Sequence, residues 1–216
     1  MQSVKQSIEG EDFVGLFGVA CDRYAVLSSA FRENEVLSVP THKTSIYGTG
    51  LLGMFCVGNT RGFLVPYFVS DTELSGLIDF LGPLGVEVNR VSDKFTALGN
   101  LICCNDTAAI VSPLLNDFEK IEETLNVNVV SMDLAGLKEV GACIYPTNKG
   151  FLAHPDLENQ LPKLSEILGV SGKTGTVNFG VPYVSSGLLA NTNSFLTGHK
   201  TSGIELGVID QALGFL

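Results

Sequence analysis

Apolar and polar positions follow one another in a unit that the chain repeats, clearest in Gly53–Asp71. Met54–Val57 and Phe63–Val65 are short apolar runs on either side of Gly58-Asn59-Thr60-Arg61-Gly62. Two apolar runs about such a turn predict a β-hairpin, because glycine and asparagine adopt the left-handed backbone that tight turns demand. Pro66 lacks an N–H and ends the second strand. Ser70 and Glu73 have the spacing of a capping box, in which each side chain accepts the other residue's N–H, so a helix starts there. Leu74, Leu77, Ile78 and Leu81 recur at i, i+3, i+4 and i+7, a stripe one helix face wide. Gly82-Pro83 ends the helix, and Val86–Val91 alternates like a further strand.

The unit recurs. Asn105-Asp106-Thr107-Ala108 lies between Leu101–Cys104 and Ala109–Val111, with Pro113 beyond. Thr147-Asn148-Lys149-Gly150 lies between Cys143–Tyr145 and Phe151–Ala153, with Pro155 beyond. Asp22-Arg23-Tyr24-Ala25 sits between Leu16–Ala20 and Val26–Leu27, and Ser185-Ser186-Gly187 precedes Leu188–Ala190. The small residues closing these turns, Ala25, Gly62, Ala108, Gly150 and Gly187, are 37, 46, 42 and 37 residues apart. Val14–Ala20 reads as a strand. The first unit is the least regular, with at best a short helix in Phe31–Leu37 and one strand at the centre of Pro40–Gly50. In the third, Asn116 and Glu119 are placed to cap a helix striped by Phe118, Ile121 and Leu125, and Val127–Met132 is its following strand. In the fourth, Leu157, Leu161, Leu164 and Leu168 form the stripe, and Pro162 marks either a kink or a helix start. In the fifth, Ser202 and Glu205 repeat the capping box, and Leu206, Ile209 and Leu213 form the stripe.

Each unit leaves an apolar helix face and a hairpin that it cannot bury alone, which predicts one domain over residues 1–216. A closed ring buries the edges of an odd number of such units best. The hairpin sheets would radiate from a centre like propeller blades, with helices outside. Hydrophobic residues make up 45% of the 216, enough for a sizeable core.

No apolar run approaches the length of a membrane span, and Met1–Ser7 lacks the apolar centre of a signal peptide. Both point to the cytoplasm or nucleus. The five cysteines are odd in number and form no CxxC pair, and Cys56, Cys103, Cys104 and Cys143 fall in predicted first strands, where buried thiols act as small hydrophobes. His42, His154 and His199 stand singly, so no metal set is expected. The net charge of −10 disfavours contact with nucleic-acid phosphates and favours basic protein partners.

Several motifs in order resemble one known family. They are Cys56-Val57-Gly58-Asn59 with Leu64-Val65-Pro66, Thr72-Glu73-Leu74, Ala97-Leu98-Gly99-Asn100 with Cys104-Asn105-Asp106, Gly150 to His154-Pro155, and Gly175-Thr176-Val177-Asn178. Together they are similar to the eukaryotic and archaeal translation initiation factor six family, the ribosome anti-association factors. The two cysteine-bearing motifs look closer to the eukaryotic branch. The resemblance implies an α/β fold, the five-bladed pseudosymmetric α/β propeller called the pentein, acting as a monomer without cofactors. It also implies binding to the large ribosomal subunit on its intersubunit face, beside the sarcin–ricin loop, neighbouring ribosomal proteins and the rRNA edge. Bound there, the family blocks joining of the small subunit. In eukaryotes it accompanies the immature large subunit out of the nucleus and nucleolus, and an elongation-factor-like GTPase with its partner protein evicts it. The chain ends at Leu216, just past its last helix, so regulation through the tail of many eukaryotic members is not expected. No contact is carried over to the short first repeat, Phe31–Gly50.

In the family the hairpin turns crown the face that meets the ribosome. The turn tips Asn59, Thr60, Arg61, Asn105, Asp106, Asn148 and Lys149 are therefore the expected ribosome-binding residues, with Asn105 foremost. Asparagine also favours turns for conformational reasons alone. A second reading is a repeat scaffold that binds some other basic protein with the same tips. A third is catalytic, since some penteins modify guanidino groups with a late-chain cysteine. Here the last cysteine is Cys143, so that nucleophile is missing and no enzyme is expected. No GxxxxGKS/T phosphate cradle occurs either.

Overall fold

The computed structural model describes residues 2–32 and 35–216. It contains five three-stranded sheets of one construction: an antiparallel hairpin whose second strand also pairs, in parallel, with a third. After β1 (Gln2–Lys5), blade 1 holds β2 (Gly18–Ala20), β3 (Ala25–Ser28) and β4 (Thr41–Thr44). Blade 2 holds β5 (Val57–Gly58), β6 (Gly62–Pro66) and β7 (Glu87–Val91). Blade 3 holds β8 (Ile102–Cys104), β9 (Ala108–Val111) and β10 (Asn128–Ser131), and blade 4 holds β11 (Ile144–Pro146), β12 (Phe151–Ala153) and β13 (Gly172–Thr174). In blade 5, β14 (Leu188–Ala190) pairs with β15 (Ser194–Thr197), and β1 supplies the third strand, with Ser3 opposite Phe195. The two chain ends thus meet in one sheet and close the ring.

The middle strands β3, β6, β9, β12 and β15 are buried along their whole length. Alternate side chains of each go to opposite interblade cores. Phe63 and Val65 pack towards blade 1, and Leu64 towards blade 3. Ala109 and Val111 pack towards blade 2, and Ile110 towards blade 4. With both faces covered, these strands read as unbroken apolar runs. Each buried large side chain contributes about 1.5–3 kcal/mol.

Outside lie α2 (Asp71–Leu81), α4 (Phe118–Leu125), α6 (Leu161–Leu168) and α7 (Gly203–Ala212). Among the described residues no helix is long and apolar enough to cross a membrane. The expected capping boxes form at Ser70/Glu73 and Ser202/Glu205. Pro162 sits in the first turn of α6, so it starts the helix rather than kinking it. The cap of α4 is Asp117, not Asn116, and its side chain makes no capping bond. Asn116 is held instead by Asp93, whose Oδ2 accepts the Asn116 backbone N–H at 2.8 Å. In blade 1 the outer element is a single 3-10 turn, Glu35–Leu37; positions 33 and 34 of the expected helix lie outside the described residues.

At the axis the sequence expectation needs correcting. The first apolar run of each unit is a helical turn followed by a short strand. The turns are Val14–Phe17, α1 (Leu52–Phe55), α3 (Leu98–Leu101), α5 (Val140–Cys143) and Val184–Gly187. Of the four cysteines assigned to first strands, Cys103 and Cys104 lie in one, whereas Cys56 follows α1 and Cys143 ends α5. Gly15, Gly53, Gly99 and Gly141 occupy the second place of their turns. A Cβ on Gly53 would lie 1.9 Å from the Gly15 carbonyl oxygen, one on Gly99 2.0 Å from that of Gly53, and one on Gly141 2.3 Å from that of Gly99. Gly15 stands 1.9 Å, by the same measure, from the carbonyl of Ser185, the fifth member. Ser185 donates its hydroxyl to Ile144 O of blade 4 at 2.9 Å. Backbone therefore stacks on backbone around the ring.

Gly53→Ala forces that stack apart and is expected to destabilise the fold by about 1–3 kcal/mol. Gly76→Ala, in the interior of α2 with open space at its Cβ, is expected to stabilise by about 0.5–1 kcal/mol. Denaturant titration of the two variants checks the pair, and equal effects would contradict the axial packing.

Glu205 supplies a pH signature. Its burial opposes ionisation, but hydrogen bonds from the Ser202 and Gly180 N–H groups and from the Thr176 and Ser202 hydroxyls outweigh it, lowering its pKa from 4.5 to about 2. A carboxyl with a depressed folded pKa stabilises above its unfolded value and loses that contribution as the pH falls towards the folded one. Stability is therefore expected to fall between pH 4.5 and about 2, and Glu205→Gln to flatten that part of the curve. Melting curves at stepped pH check this.

Candidate functional site

All five hairpins turn at the same rim, through four residues each: Cys21–Tyr24, Asn59–Gly62, Asn105–Ala108, Thr147–Gly150 and Asn191–Ser194. Two sequence assignments shift. The first turn closes on Tyr24 rather than Ala25, and the fifth is Asn191–Ser194 rather than Ser185–Gly187. Gly187 belongs to the axial turn instead.

The four places in the turn have distinct tasks. First-place asparagines are buried, Asn59 at 2% and Asn105 at 4% exposure. Asn59 Oδ1 accepts the N–H groups of Arg61 and Gly62, both at 2.9 Å, which shapes its own turn. Its Nδ2 donates to Asn105 O at 3.2 Å and to Leu125 O, at the end of α4, at 2.9 Å. Asn105 repeats this one blade on. Its Oδ1 accepts from Thr107 and Ala108, and its Nδ2 donates to Thr147 O at 3.2 Å and Leu168 O at 2.9 Å. Asn191 bonds in the same way to Leu37 O at 2.7 Å. These three amides latch blade 2 to blade 3, blade 3 to blade 4 and blade 5 to blade 1. The expectation that Asn59 and Asn105 are exposed tips is thus corrected, because the end carbonyls of the neighbouring helix need a donor and the asparagines turn inward to provide it.

Second-place residues converge on the axis. Asn148 Nδ2 donates to Asp22 Oδ2 at 2.8 Å and to Asp106 Oδ2 at 2.7 Å. Asn148 Oδ1 accepts the Asp106 N–H, and Asp106 Oδ1 accepts that of Thr60. Asp22 Oδ1 accepts the Thr192 N–H at 2.7 Å. One amide thus bridges two carboxylates over the mouth of the ring.

Third-place residues are exposed, and three are cations. Arg23 Nη1 reaches Leu84 O at 3.1 Å, beyond the end of α2. Arg61 Nη1 reaches Asp106 O at 2.8 Å and Asn126 O at 2.9 Å. Lys149 Nζ reaches Thr192 O at 3.0 Å. Cations are favoured at helix C-termini, and for α2 and α4 the preceding blade supplies them as Arg23 and Arg61; Lys149 reaches the next hairpin turn instead.

Of the residues expected from sequence, Thr60, Arg61, Asp106, Asn148 and Lys149 come together on the solvent side of this rim. Asn59 and Asn105 lie beneath it. Sequence reasoning missed Asp22, Arg23 and Thr192. An Asn-x-x-small pattern, shared by Asn59–Gly62, Asn105–Ala108 and Asn191–Ser194, would have found the fifth turn. The first, which begins with Cys21 and closes on Tyr24, carries no such signal.

Two cavities at the axis measure about 30 and 80 Å³, well below the roughly 300 Å³ at which small-molecule pockets begin. Burial raises the thiol pKa values of Cys21, Cys103 and Cys143 to about 12, so the reactive thiolate is not formed near neutrality. Among the described residues no cluster of His, Cys, Asp and Glu could hold a metal ion.

The architecture is therefore that of the pentein class, a five-bladed α/β propeller with one rim of ordered polar turns. The model of the eIF-6 family matches residues 3–212, and the chain belongs to this family. "Translation initiation factor 6" of Pyrococcus abyssi is 38% identical over 227 aligned positions that cover the whole of both chains. The protein of that name from Methanosarcina mazei is 41% identical over 185 positions, 84% of this chain and 82% of its own. That from Methanocaldococcus jannaschii is 41% identical over 189, with 85% and 82% covered. The family is one of translation initiation factors.

Asn105→Ala leaves two carbonyls and two N–H groups without a partner, and it is expected to destabilise the fold by about 1–3 kcal/mol. Thr107→Ala, at an exposed side chain, is expected to change stability by no more than about 0.5 kcal/mol. Chemical denaturation compares the two, and an unchanged Asn105→Ala midpoint would contradict the latch.

Proposed function

We propose that this chain binds the large ribosomal subunit on its intersubunit face through the hairpin-turn rim, and that its bulk there keeps the small subunit from joining. The observation that carries the reading is the charge of that rim. In a chain of net charge −10, three of the five third-place residues are Arg23, Arg61 and Lys149. Exposed cations over hydrogen-bonded turns suit an rRNA edge or the acidic side chains of ribosomal proteins. Asp22 and Asp106 lie on the same rim but are held over the mouth of the ring by Asn148, so the outward-facing third places carry the cations.

The mechanism is steric. Factor and small subunit compete for one surface, so binding of each weakens that of the other. No bond is made or broken, and no cofactor is needed. By family resemblance, the bound surface lies beside the sarcin–ricin loop, and an elongation-factor-like GTPase with its partner removes the factor. The place of action is the cytoplasm and, in a cell with a nucleus, also the nucleus and nucleolus, where the same occupancy would accompany maturation and export of the large subunit.

Arg61→Glu combined with Lys149→Glu is expected to weaken co-sedimentation with purified large subunits at least tenfold, about 1.4 kcal/mol. The deficit should shrink as salt rises. Unimpaired binding by a variant that melts normally would move the interface to another face. Wild-type protein should also reduce joining of purified subunits; if it binds without doing so, the anti-association reading fails.

A further inference from the structure

We propose that the rim opposite the hairpin turns carries a second docking surface, spread over blades 5, 1 and 2, for an arginine- or lysine-rich segment of a partner protein. The proposal stands whether or not the hairpin-turn rim meets the ribosome.

On this opposite rim each third strand runs into the axial turn of the next blade. Four of the connections are tight loops closed by paired backbone bonds: Ile8–Glu11, Ile46–Thr49, Leu134–Leu137 and Val177–Val181. Their tips take the left-handed backbone, with φ of 53° at Glu9, 51° at Tyr47, 53° at Ala135 and 64° at Phe179. For a bulky side chain that conformation costs roughly 1–2 kcal/mol. Tyr47 and Phe179 nevertheless stand there 75% and 83% exposed. The fold does not require an aromatic at this place, since its counterparts are Glu9 and Ala135.

Both aromatic tips are fixed by the same device. Glu73, the capping-box glutamate of α2, accepts the Tyr47 N–H at 2.6 Å. Glu205, its counterpart in α7, accepts those of Phe179 at 3.1 Å and Gly180 at 2.9 Å. In blade 2 the aromatic surface widens. Phe68 lies 5.3 Å from Tyr47 and 5.9 Å from Tyr67, centroid to centroid, and Tyr67 is 56% exposed.

Blade 1 separates the two aromatic tips, and its own tip is Glu9-Gly10-Glu11 with both glutamates exposed. Of the neighbouring cations, Lys200 lies 3.3 Å from Asp12 and Arg90 bonds Asp71 at 2.7 Å, each paired with a carboxylate, while part-buried Lys5 donates to Thr201 O. Two presented aromatic faces with carboxylates between them attract cations twice over, through the ring quadrupole and through charge. A guanidinium stacks on such rings better than an ammonium does. Nucleic acid and anionic lipid are repelled by the same carboxylates, and a second copy would set Glu9 and Glu11 against themselves.

The test is fluorescence anisotropy with a labelled peptide of six Arg-Gly repeats, beside Lys-Gly and Glu-Gly peptides of equal length. The arginine peptide is expected to bind best and the glutamate peptide not at all. Tyr47→Asn with Phe179→Asn keeps residues suited to positive φ, and Glu9→Gln with Glu11→Gln removes two charges; each pair is expected to weaken arginine-peptide binding at least tenfold. Asp79→Asn with Glu122→Gln removes equal charge from exposed sites on the outer helices and should change binding less than twofold. The proposal is overturned if the wild type does not bind the arginine peptide, if both rim variants bind normally, or if the charge control loses as much. It is also overturned if analytical ultracentrifugation shows self-association that Tyr47→Asn with Phe179→Asn abolishes, since the occupant is then a second copy.

Discussion

Backbone contact at the pseudo-fivefold axis is the constraint on which the rest of the ring depends. Gly15, Gly53 and Gly99 each present a carbonyl to the Cα of the next blade's axial turn, with no room for a side chain between. That approach lets five narrow sheets meet with only small cavities at the centre. Once they meet, each middle strand is covered on both faces, and the interblade cores follow. The ring closes only when β1 finds β15 at the far end of the chain. Much of the stability therefore rests on a contact between residues nearly the whole sequence apart, the kind of pairing that folds slowly.

The hairpin rim solves a second problem created by the first. Packing blades side by side buries helix ends against the neighbouring turns, and the last carbonyls of a helix have no partner of their own. Asn59 and Asn105 answer this by using both ends of one amide, the oxygen for their own turn and the nitrogen for the next blade. Thr147 holds the fourth turn through its hydroxyl, which accepts from Lys149 and Gly150, but has no second group to reach onward. The side chains of the second and third places take no part in this latch, and they face solvent or the mouth of the ring.

What could be read in the chain divides along physical lines. Capping boxes, stripes on the long outer helices and the hairpins of blades 2 to 4 were legible because each is a local pattern with a local cause. The axial turns were not, since four residues of helix contain no period and their glycines answer to a carbonyl in another blade. Gly187 suits a hairpin turn by its glycine alone, yet its place is set by Val177 and Asn178, whose side chains approach to within 2.8 Å of where its Cβ would be. Asn116 has cap spacing, but Asp93, distant in sequence, claims it. For Asn105 the turn itself was legible; the inward direction of its amide depends on Thr147 and Leu168, which no local window contains.

The separation of charge between the rims follows from the repeat as well. Blades 2 to 4 have the order strand, strand, helix, strand, and in blade 5 β1 takes the last place, so in blades 2 to 5 the outer helix starts at the rim of the axial turns and ends at the rim of the hairpins. Helix N-termini favour acids, and Asp71, Glu73, Glu119, Asp156 and Glu205 lie in or beside first turns. Helix C-termini favour bases, yet none of the four long helices has one in its last turn. The hairpin of the preceding blade provides it instead, Arg23 at Leu84 and Arg61 at Asn126. Each such placement contributes about 0.3–1 kcal/mol, and repetition turns it into a property of the whole molecule. Net charge alone, −10, predicts a uniformly acidic particle attractive to basic partners on any side. Parallel helices in a ring give it instead two unlike rims, with exposed Arg23, Arg61 and Lys149 on one and exposed Glu9 and Glu11 on the other.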